Sequence, residues 1–253
     1  MKIGVLATGY NCAEYFHQVL EPWLQYKEKH GDLIISAVSG QFTENELLES
    51  DNTKELMLDA FNTKKINYLA LPVGAFDEAS MRNLALAPLM SEKVDYIILL
   101  DFDEIYTLEQ IEKIFEFVKN NSLTTWFKIR FKNYVVDKKH YLSDFCPPRI
   151  FKVEFEEHGL DGFYFDNDIN YRWENKTYSY KNFSSMEIPA AVAVIKHYSW
   201  CGSPERLKEK IAYQLKHFNG ICSYKWNNDK NELSLDHEFY KKYNIPMPTI
   251  YEE

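Results

Sequence analysis

An α/β fold, with a mostly parallel central sheet flanked by helices, is predicted by two features of the sequence. Short apolar runs alternate with helical periodicities through residues 1–120, and the strongest strand signal, Val94-Asp95-Tyr96-Ile97-Ile98-Leu99-Leu100, runs directly into Asp101-Phe102-Asp103-Glu104. Strands and helices in strict alternation build parallel sheets, whose ligands bind beyond the carboxyl ends of the strands. The acidic cluster at 101–104 falls at such an end.

The elements follow in order. Residues 2–8 read as a buried strand, and Gly9-Tyr10-Asn11 as the turn after it. Phe16, Val19, Leu20, Trp23 and Leu24 then share one helical face. Gly31 stands where that helix should stop. A second strand covers 33–38, a helix 44–61 with Leu47, Leu48 and Leu56 on its apolar side, a third strand 66–71, and a helix 77–91. Thr107 with Gln110 three residues on is a capping box for a helix carrying Leu108, Ile111, Ile114, Phe115 and Val118. The second half differs in character. Residues 125–136 and 149–155 read as aromatic-rich strands, 156–186 as loops and short strands, and 190–197 as an apolar strand. Ser203-Pro204 opens a helix whose inner face is Leu207, Ile211 and Leu215. With no repeat, linker or low-complexity tract, a single domain over 1–253 is expected, with a nucleotide-type half at 1–122 and a variable half with C-terminal helices at 123–253.

The chain has 253 residues, enough for a sizeable core, and a formal net charge of −9, which disfavours general binding to nucleic acid or anionic membranes. No apolar run approaches the ~20 residues of a bilayer span, and the opening stretch is too short for a signal peptide, so a cytoplasmic protein without a transmembrane segment is expected. Cys12, Cys146, Cys201 and Cys222 form no C-x-x-C pair and read as free thiols.

Asp101 and Asp103 flank one residue after a buried strand. In an extended segment both carboxylates face the same side, while Phe102 turns inward. Adjacent carboxylates repel unless a cation attends them, and hard oxygen donors suit Mg²⁺ or Mn²⁺ with phosphate oxygens completing the shell. Acids are also favoured ahead of a helix such as 107–119, although the position after the central strand points to the metal.

Phe76-Asp77-Glu78-Ala79-Ser80-Met81-Arg82-Asn83-Leu84-Ala85-Leu86 and Asp95-Tyr96-Ile97-Ile98-Leu99-Leu100-Asp101-Phe102-Asp103-Glu104 resemble the "A-R-N-x-(A/G)-(I/L)" helix and the "D-Y-I-x-x-L-D-x-D-E" segment of family 2-like glycosyltransferases. The first strand, loop and helix, from Ala7 to Phe16, are similar as well. Pro148-Arg149-Ile150-Phe151 resembles an "R-(L/I)-F" strand, and His197-Tyr198-Ser199-Trp200 an "H-Y-S-W" segment. The resemblance covers about 2–120 well and 146–216 in patches.

It implies a GT-A fold and metal-dependent transfer of a hexosyl or pentosyl group from a nucleotide diphosphate sugar to a saccharide or other hydroxyl acceptor; the acidic balance disfavours nucleic acid as acceptor while leaving a modified nucleobase open. Asp103 would hold the divalent metal, and Asp101 would contact the ribose or a metal-bound water. Ala7, Thr8 and Asn11 would line the nucleotide pocket, and Arg82 would sit near the base or phosphates. His197 would complete the metal shell or touch the diphosphate, and Lys210 could face the diphosphate. A lone His after an apolar strand is equally often structural, and lysines on helix 204–219 can be its solvated face. Many members carry a base-binding acid after the second strand. Val38-Ser39-Gly40-Gln41 has none, and Gln41 could substitute as a hydrogen-bonding group.

An inverting transferase needs a general base beside the acceptor. Glu156, Glu157, His158, Asp161, Asp166 and Asp168 are the candidates, with Asp161 and Asp166 favoured amid aromatics that can stack on an acceptor. Retaining stereochemistry stays open. A nucleotidyltransferase would show a Gly-rich phosphate loop near the N-terminus, where only Gly4 and Gly9 occur. A non-catalytic carbohydrate-binding or scaffold protein on the same fold is the alternative.

Overall fold

A computed structural model describes residues 1–40, 51–73, 78–135, 137–143, 145–153, 164–166, 170–173, 176–178, 185–217 and 222–253. In chain order they form β1 (Ile3–Gly9), α1 (Phe16–His30), β2 (Leu33–Ser39), α2 (Thr53–Asn62), β3 (Tyr68–Ala70), α3 (Glu78–Ser91), β4 (Tyr96–Asp101), β5 (Glu104–Ile105) and α4 (Leu108–Asn120). Then follow β6 (Trp126–Lys128), β7 (Arg130–Val135), β8 (His140–Leu142), β9 (Pro148–Lys152), β10 (Tyr164–Asp166), β11 (Asn170–Trp173), β12 (Lys176–Tyr178), β13 (Ser185–Glu187) and β14 (Val194–Trp200). The chain closes with α5 (Pro204–His217), β15 (Tyr224–Asn227), β16 (Glu232–Leu235), α6 (His237–Lys242) and β17 (Tyr251–Glu252). Two compact units result, 1–130 with 146–195 and 131–145 with 196–253.

The first unit is built on a seven-stranded sheet in the order β13-β6-β9-β4-β1-β2-β3. The strands β4, β1, β2 and β3 are parallel, and β9 joins β4 antiparallel. From β1 the chain moves outward through β2 and β3, then returns to place β4 on the other side of β1. Right-handed crossovers in these two directions put α1 and α3 on opposite faces. Both faces of β1 and β4 are consequently buried, which is why these strands read as unbroken apolar runs. On one side Ala85, Leu86 and Leu89 of α3 pack with Leu6, Ile97, Leu99, Trp126 and Phe151. In another cluster Trp23 of α1 meets Tyr106 at 5.1 Å and Phe115 of α4 at 6.2 Å between ring centroids. The unit also holds a three-stranded antiparallel sheet, β10-β11-β12.

Local signals hold where they were strong. Gly31 adopts φ 74° and caps α1, and Thr107 with Gln110 forms the full capping box of α4. The differences are tertiary. Tyr26 rather than Leu24 joins the buried face of α1. The helix expected over 44–61 starts at Thr53 among the described residues, and 44–50, with Leu47 and Leu48, lies outside them. Residues 125–136 form two strands in different sheets, because β6 pairs with β9 while β7 pairs with β8. The strand expected at 190–197 starts at Val194, after a turn in which Val192 N–H donates to the Pro189 carbonyl at 2.8 Å.

In the second unit, β17 and β7 lie on either side of β8, and β14 borders β7. Trp200, Leu207, Ile211, Cys222, Tyr224, Leu233 and Leu235 form its core, whereas Leu215 is 44% exposed. Ser203 caps α5 as expected, accepting from Arg206 N–H at 3.3 Å. Glu253 closes the edge of this sheet. Its carboxylate accepts from the Tyr134 hydroxyl and pairs with Lys196 at 2.9 Å and Lys132 at 3.5 Å. The Tyr134 hydrogen bond, then the Lys196 hydrogen bond, lower its pKa to about 2. A depressed carboxyl adds stability that is fully present above its unfolded pKa and is lost as pH falls toward 2. The Glu253 side chain is 35% exposed, so solvent screening limits the contribution to about 1 kcal/mol. Glu253→Gln is expected to lower the melting temperature at pH 7. The gap to the unsubstituted protein should close between pH 5 and pH 2, as followed by thermal unfolding.

Candidate functional site

The site begins where the strand order reverses, at the carboxyl ends of β1 and β4. Thr8 and Asp101 are register partners there, and Thr8 Oγ1 donates to Asp101 Oδ1 at 2.5 Å. Arg82, one turn into α3, brings Nη2 to 3.9 Å from the same oxygen. Arg149 arrives from β9, the antiparallel neighbour of β4, and its Nη2 donates to Asp101 Oδ2 at 3.1 Å. The same nitrogen donates to Glu104 Oε1. The Tyr106 hydroxyl lies 3.5 Å from Glu104 Oε2. Asp101 is 26% exposed, whereas Arg82, Arg149 and Glu104 are 5%, 8% and 0% exposed. A solvent-reachable carboxylate therefore rests on a buried layer of two guanidiniums and an acid.

The charges follow this layering. Burial would raise the Asp101 pKa, but the Arg149 and then the Arg82 guanidinium outweigh it and hold the carboxyl below its usual range. Glu104 is pushed well up by burial, against the pull of Arg149. Burial would lower the Arg149 pKa, and Glu104 with Asp101 reverse this and raise it. Asp101 is thus held ionised.

Phe102 lies between the two aspartates and is fully buried. Its ring stacks on Phe16 at 5.0 Å and 4°. Its N–H donates to the Thr8 carbonyl at 3.0 Å. Gly9 gives it room, since a Cβ there would come within 3.0 Å of Phe102 Cδ2 and 2.7 Å of Met57 Cε. Asp103, 8% exposed, follows on the turn toward β5.

The loop after β1 is tied to the start of α2. Asn11, in the left-handed region at φ 52°, accepts from Asp51 N–H through Oδ1 at 3.0 Å. Asp51 in turn accepts from Ala13 N–H and Thr53 N–H, both at 2.9 Å, and Thr53 Oγ1 accepts from Cys12 N–H at 2.8 Å. These bonds preorganise residues 10–13. Asp51→Ala removes several acceptors at once and is expected to destabilise the protein by about 1–3 kcal/mol, which thermal unfolding would register as a drop of several degrees.

Of the residues singled out in the sequence, Ala7, Thr8, Arg82, Asp101 and Asp103 gather in the first unit around the β1 and β4 ends, with Ala7 fully buried within β1. Asn11 turns to Asp51. His197 and Lys210 belong to the second unit. His197 is buried, its ring 5.2 Å from that of Phe131 and 6.0 Å from that of Phe145. Lys210 Nζ donates to the Ser199 carbonyl at 2.9 Å and sits 5.0 Å above the Trp200 ring. Gln41 and Asp161 lie outside the described residues, as do Glu156, Glu157, His158 and Asp168. Asp166 ends β10, its backbone paired with Asn170. Sequence reasoning quoted Arg149 and Glu104 within its motifs but gave them no role, and it passed over Tyr106 and Asp51. The available signal was Arg149 itself, a charged residue within the otherwise apolar Ile150-Phe151 strand.

Among the described residues no group of three or more His, Cys, Asp and Glu side chains is arranged to hold a metal ion. Thr8 and Arg149 already engage the two Asp101 oxygens. A hard cation of the Mg²⁺ or Mn²⁺ type would then have Asp103 as its one protein carboxylate and would need phosphate and water oxygens for the rest of its shell. No helix among the described residues is long and apolar enough to cross a membrane.

No family model matches the chain, and no curated protein matches it in sequence. Solved structures do. TarS 1-349 of S. aureus in complex with UDP-GlcNAc superposes with a TM-score of 0.52 at 13% identity, covering 91% of this chain and 69% of that one. A further TarS structure, 1-349 in complex with UDP, gives a TM-score of 0.43 at 14% identity over 60% of this chain. A cytidylyltransferase from Leptospira borgpetersenii gives 0.39 at 13% over 75%. The chain spans 28% of one TarS structure and 47% of two others. The architecture is GT-A-like, a mostly parallel seven-stranded sheet flanked by helices.

Proposed function

We propose that this chain binds a nucleotide diphosphate sugar at the β1/β4 ends and transfers the sugar to an acceptor hydroxyl. The observation that carries the reading is the Asp101 carboxylate, held ionised on Thr8, Arg82 and Arg149 at the topological switch point of a GT-A-like sheet. Such crevices are where open α/β sheets bind ligands. Asp101, oriented and partly exposed, is suited to accept hydrogen bonds from ribose hydroxyls. Arg82 places positive charge beside it for the phosphates. Asp103 would hold a Mn²⁺ or Mg²⁺ ion, whose chemistry is to neutralise charge developing on the leaving diphosphate. The acceptor proton passes to a carboxylate base, for which Asp161 and Asp166 are the candidates.

The test is thermal stabilisation by nucleoside diphosphates and nucleotide sugars, with and without Mn²⁺ or Mg²⁺. The fold likeness to TarS bound to UDP-GlcNAc puts UDP-sugars first in the panel. Ligand at ~100 times its dissociation constant stabilises by about 2.7 kcal/mol, a shift of several degrees for a chain of this size. A metal-dependent shift with one nucleotide class supports the reading. The absence of any shift across the panel would count against it and favour a non-catalytic GT-A-like binding protein.

A further inference from the structure

Resting on that reading, we infer that Arg149 is a positioning residue for donor binding: through one nitrogen it ties the partly exposed Asp101 carboxylate to the buried Glu104, and so sets the orientation in which Asp101 meets the nucleotide. Three observations carry this. Arg149 Nη2 donates to both acids, so its two hydrogens are directed at Asp101 Oδ2 and Glu104 Oε1. Arg149 stands on β9, whose neighbouring Ile150 is fully buried and in register with Ile98 of β4, so the guanidinium is delivered by a rigid strand pair and not by a loop. Glu104 is itself completely buried, with the Tyr106 hydroxyl on its other oxygen, and so anchors the guanidinium from below.

A buried ion pair is weak evidence for stability, because well-packed apolar side chains of similar volume often serve a core as well or better. A fully buried acid and a buried guanidinium directly beneath an exposed carboxylate make better sense as a support for that carboxylate. Thr8 fixes one Asp101 oxygen and Arg149 the other, which removes the rotational freedom of the side chain before a ligand arrives. That preorganisation is what favours binding.

A purely structural role and a positioning role separate in a paired substitution. Arg149→Met alone leaves Glu104 buried without its cation and is expected to lower the melting temperature sharply. Glu104→Gln/Arg149→Met neutralises both ends of the pair and leaves residue 104 the Tyr106 hydroxyl, so the melting temperature should return close to that of the unsubstituted protein. The probe is the nucleoside diphosphate that stabilises the unsubstituted protein most, titrated calorimetrically with Mn²⁺. Its affinity in the double variant is expected to remain about tenfold to a hundredfold weaker despite the restored fold, the range for loss of one charge-assisted hydrogen bond. Affinity that recovers together with the melting temperature overturns the inference. Arg149→Lys gives a second reading that does not depend on the double variant folding. It keeps the charge but loses the planar fork, so affinity is expected to fall by about tenfold, and unchanged affinity likewise overturns the inference. If the unsubstituted protein binds no nucleotide of the panel, the functional reading fails first and takes this one with it.

Discussion

Asp103→Asn is expected to leave the melting temperature within about 1 °C of the unsubstituted protein in the absence of ligand, yet to abolish metal-dependent nucleotide binding and to reduce transfer by a hundredfold or more. Asn keeps the volume of the side chain and one acceptor oxygen, and removes the negative charge a hard cation needs. Asp103 also raises the pKa of Asp101 by repulsion, so its neutralisation relaxes the site electrostatically. Asp101→Asn should behave differently: it leaves one acceptor oxygen where Thr8 and Arg149 use two, and it removes the charge that Arg149 pairs with, so stability should fall along with binding. The two substitutions are compared by thermal unfolding with and without Mn²⁺ and nucleotide. Equal metal-dependent shifts in Asp103→Asn and the unsubstituted protein would remove the metal role from Asp103.

Phe102→Ala is expected to destabilise the protein by about 3–5 kcal/mol, a fall of about 10 °C in melting temperature. The ring is fully buried, stacked on Phe16 and set against Gly9, so truncation opens a cavity beneath the turn that carries both aspartates. Nucleotide affinity should fall even at temperatures where the variant is fully folded, because the turn loses the anchor that aims Asp101 and Asp103. Phe102→Leu, which fills most of the space, should recover more than half of the stability. Unaltered affinity in folded Phe102→Ala would show that the backbone bond from Phe102 N–H to the Thr8 carbonyl holds the turn by itself.

Much of this was legible in the chain. The Val94–Leu100 run, the Thr107/Gln110 box, Gly31 and Ser203-Pro204 are local signals, and each produced the element expected. Strand alternation called for an inward Phe102 between the two aspartates, but β4 ends at Asp101 and residues 102 and 103 form a turn, so the ring is turned inward by its packing on Phe16. Register and partner choice were not legible. The aromatic stretch 125–136 carries one continuous strand propensity, yet Ile129 N–H donates to the Pro147 carbonyl at the crossing from one sheet to another. Likewise Leu215 fits a helical stripe but lies beyond the patch that the β15-β16 hairpin covers.

By itself, then, the sequence determined the alternation of strands and helices, the caps, and the position of two carboxylates at the end of the central strand, because these depend on residues within a turn or two of one another. The tertiary structure alone decided what those carboxylates rest on. Arg149 is 48 residues from Asp101 and 45 from Glu104, and they meet only because β9 pairs antiparallel with β4. Periodicity carries no record of such a pairing, since the strand that brings the guanidinium is selected by sheet order and register and not by its own neighbours in the chain.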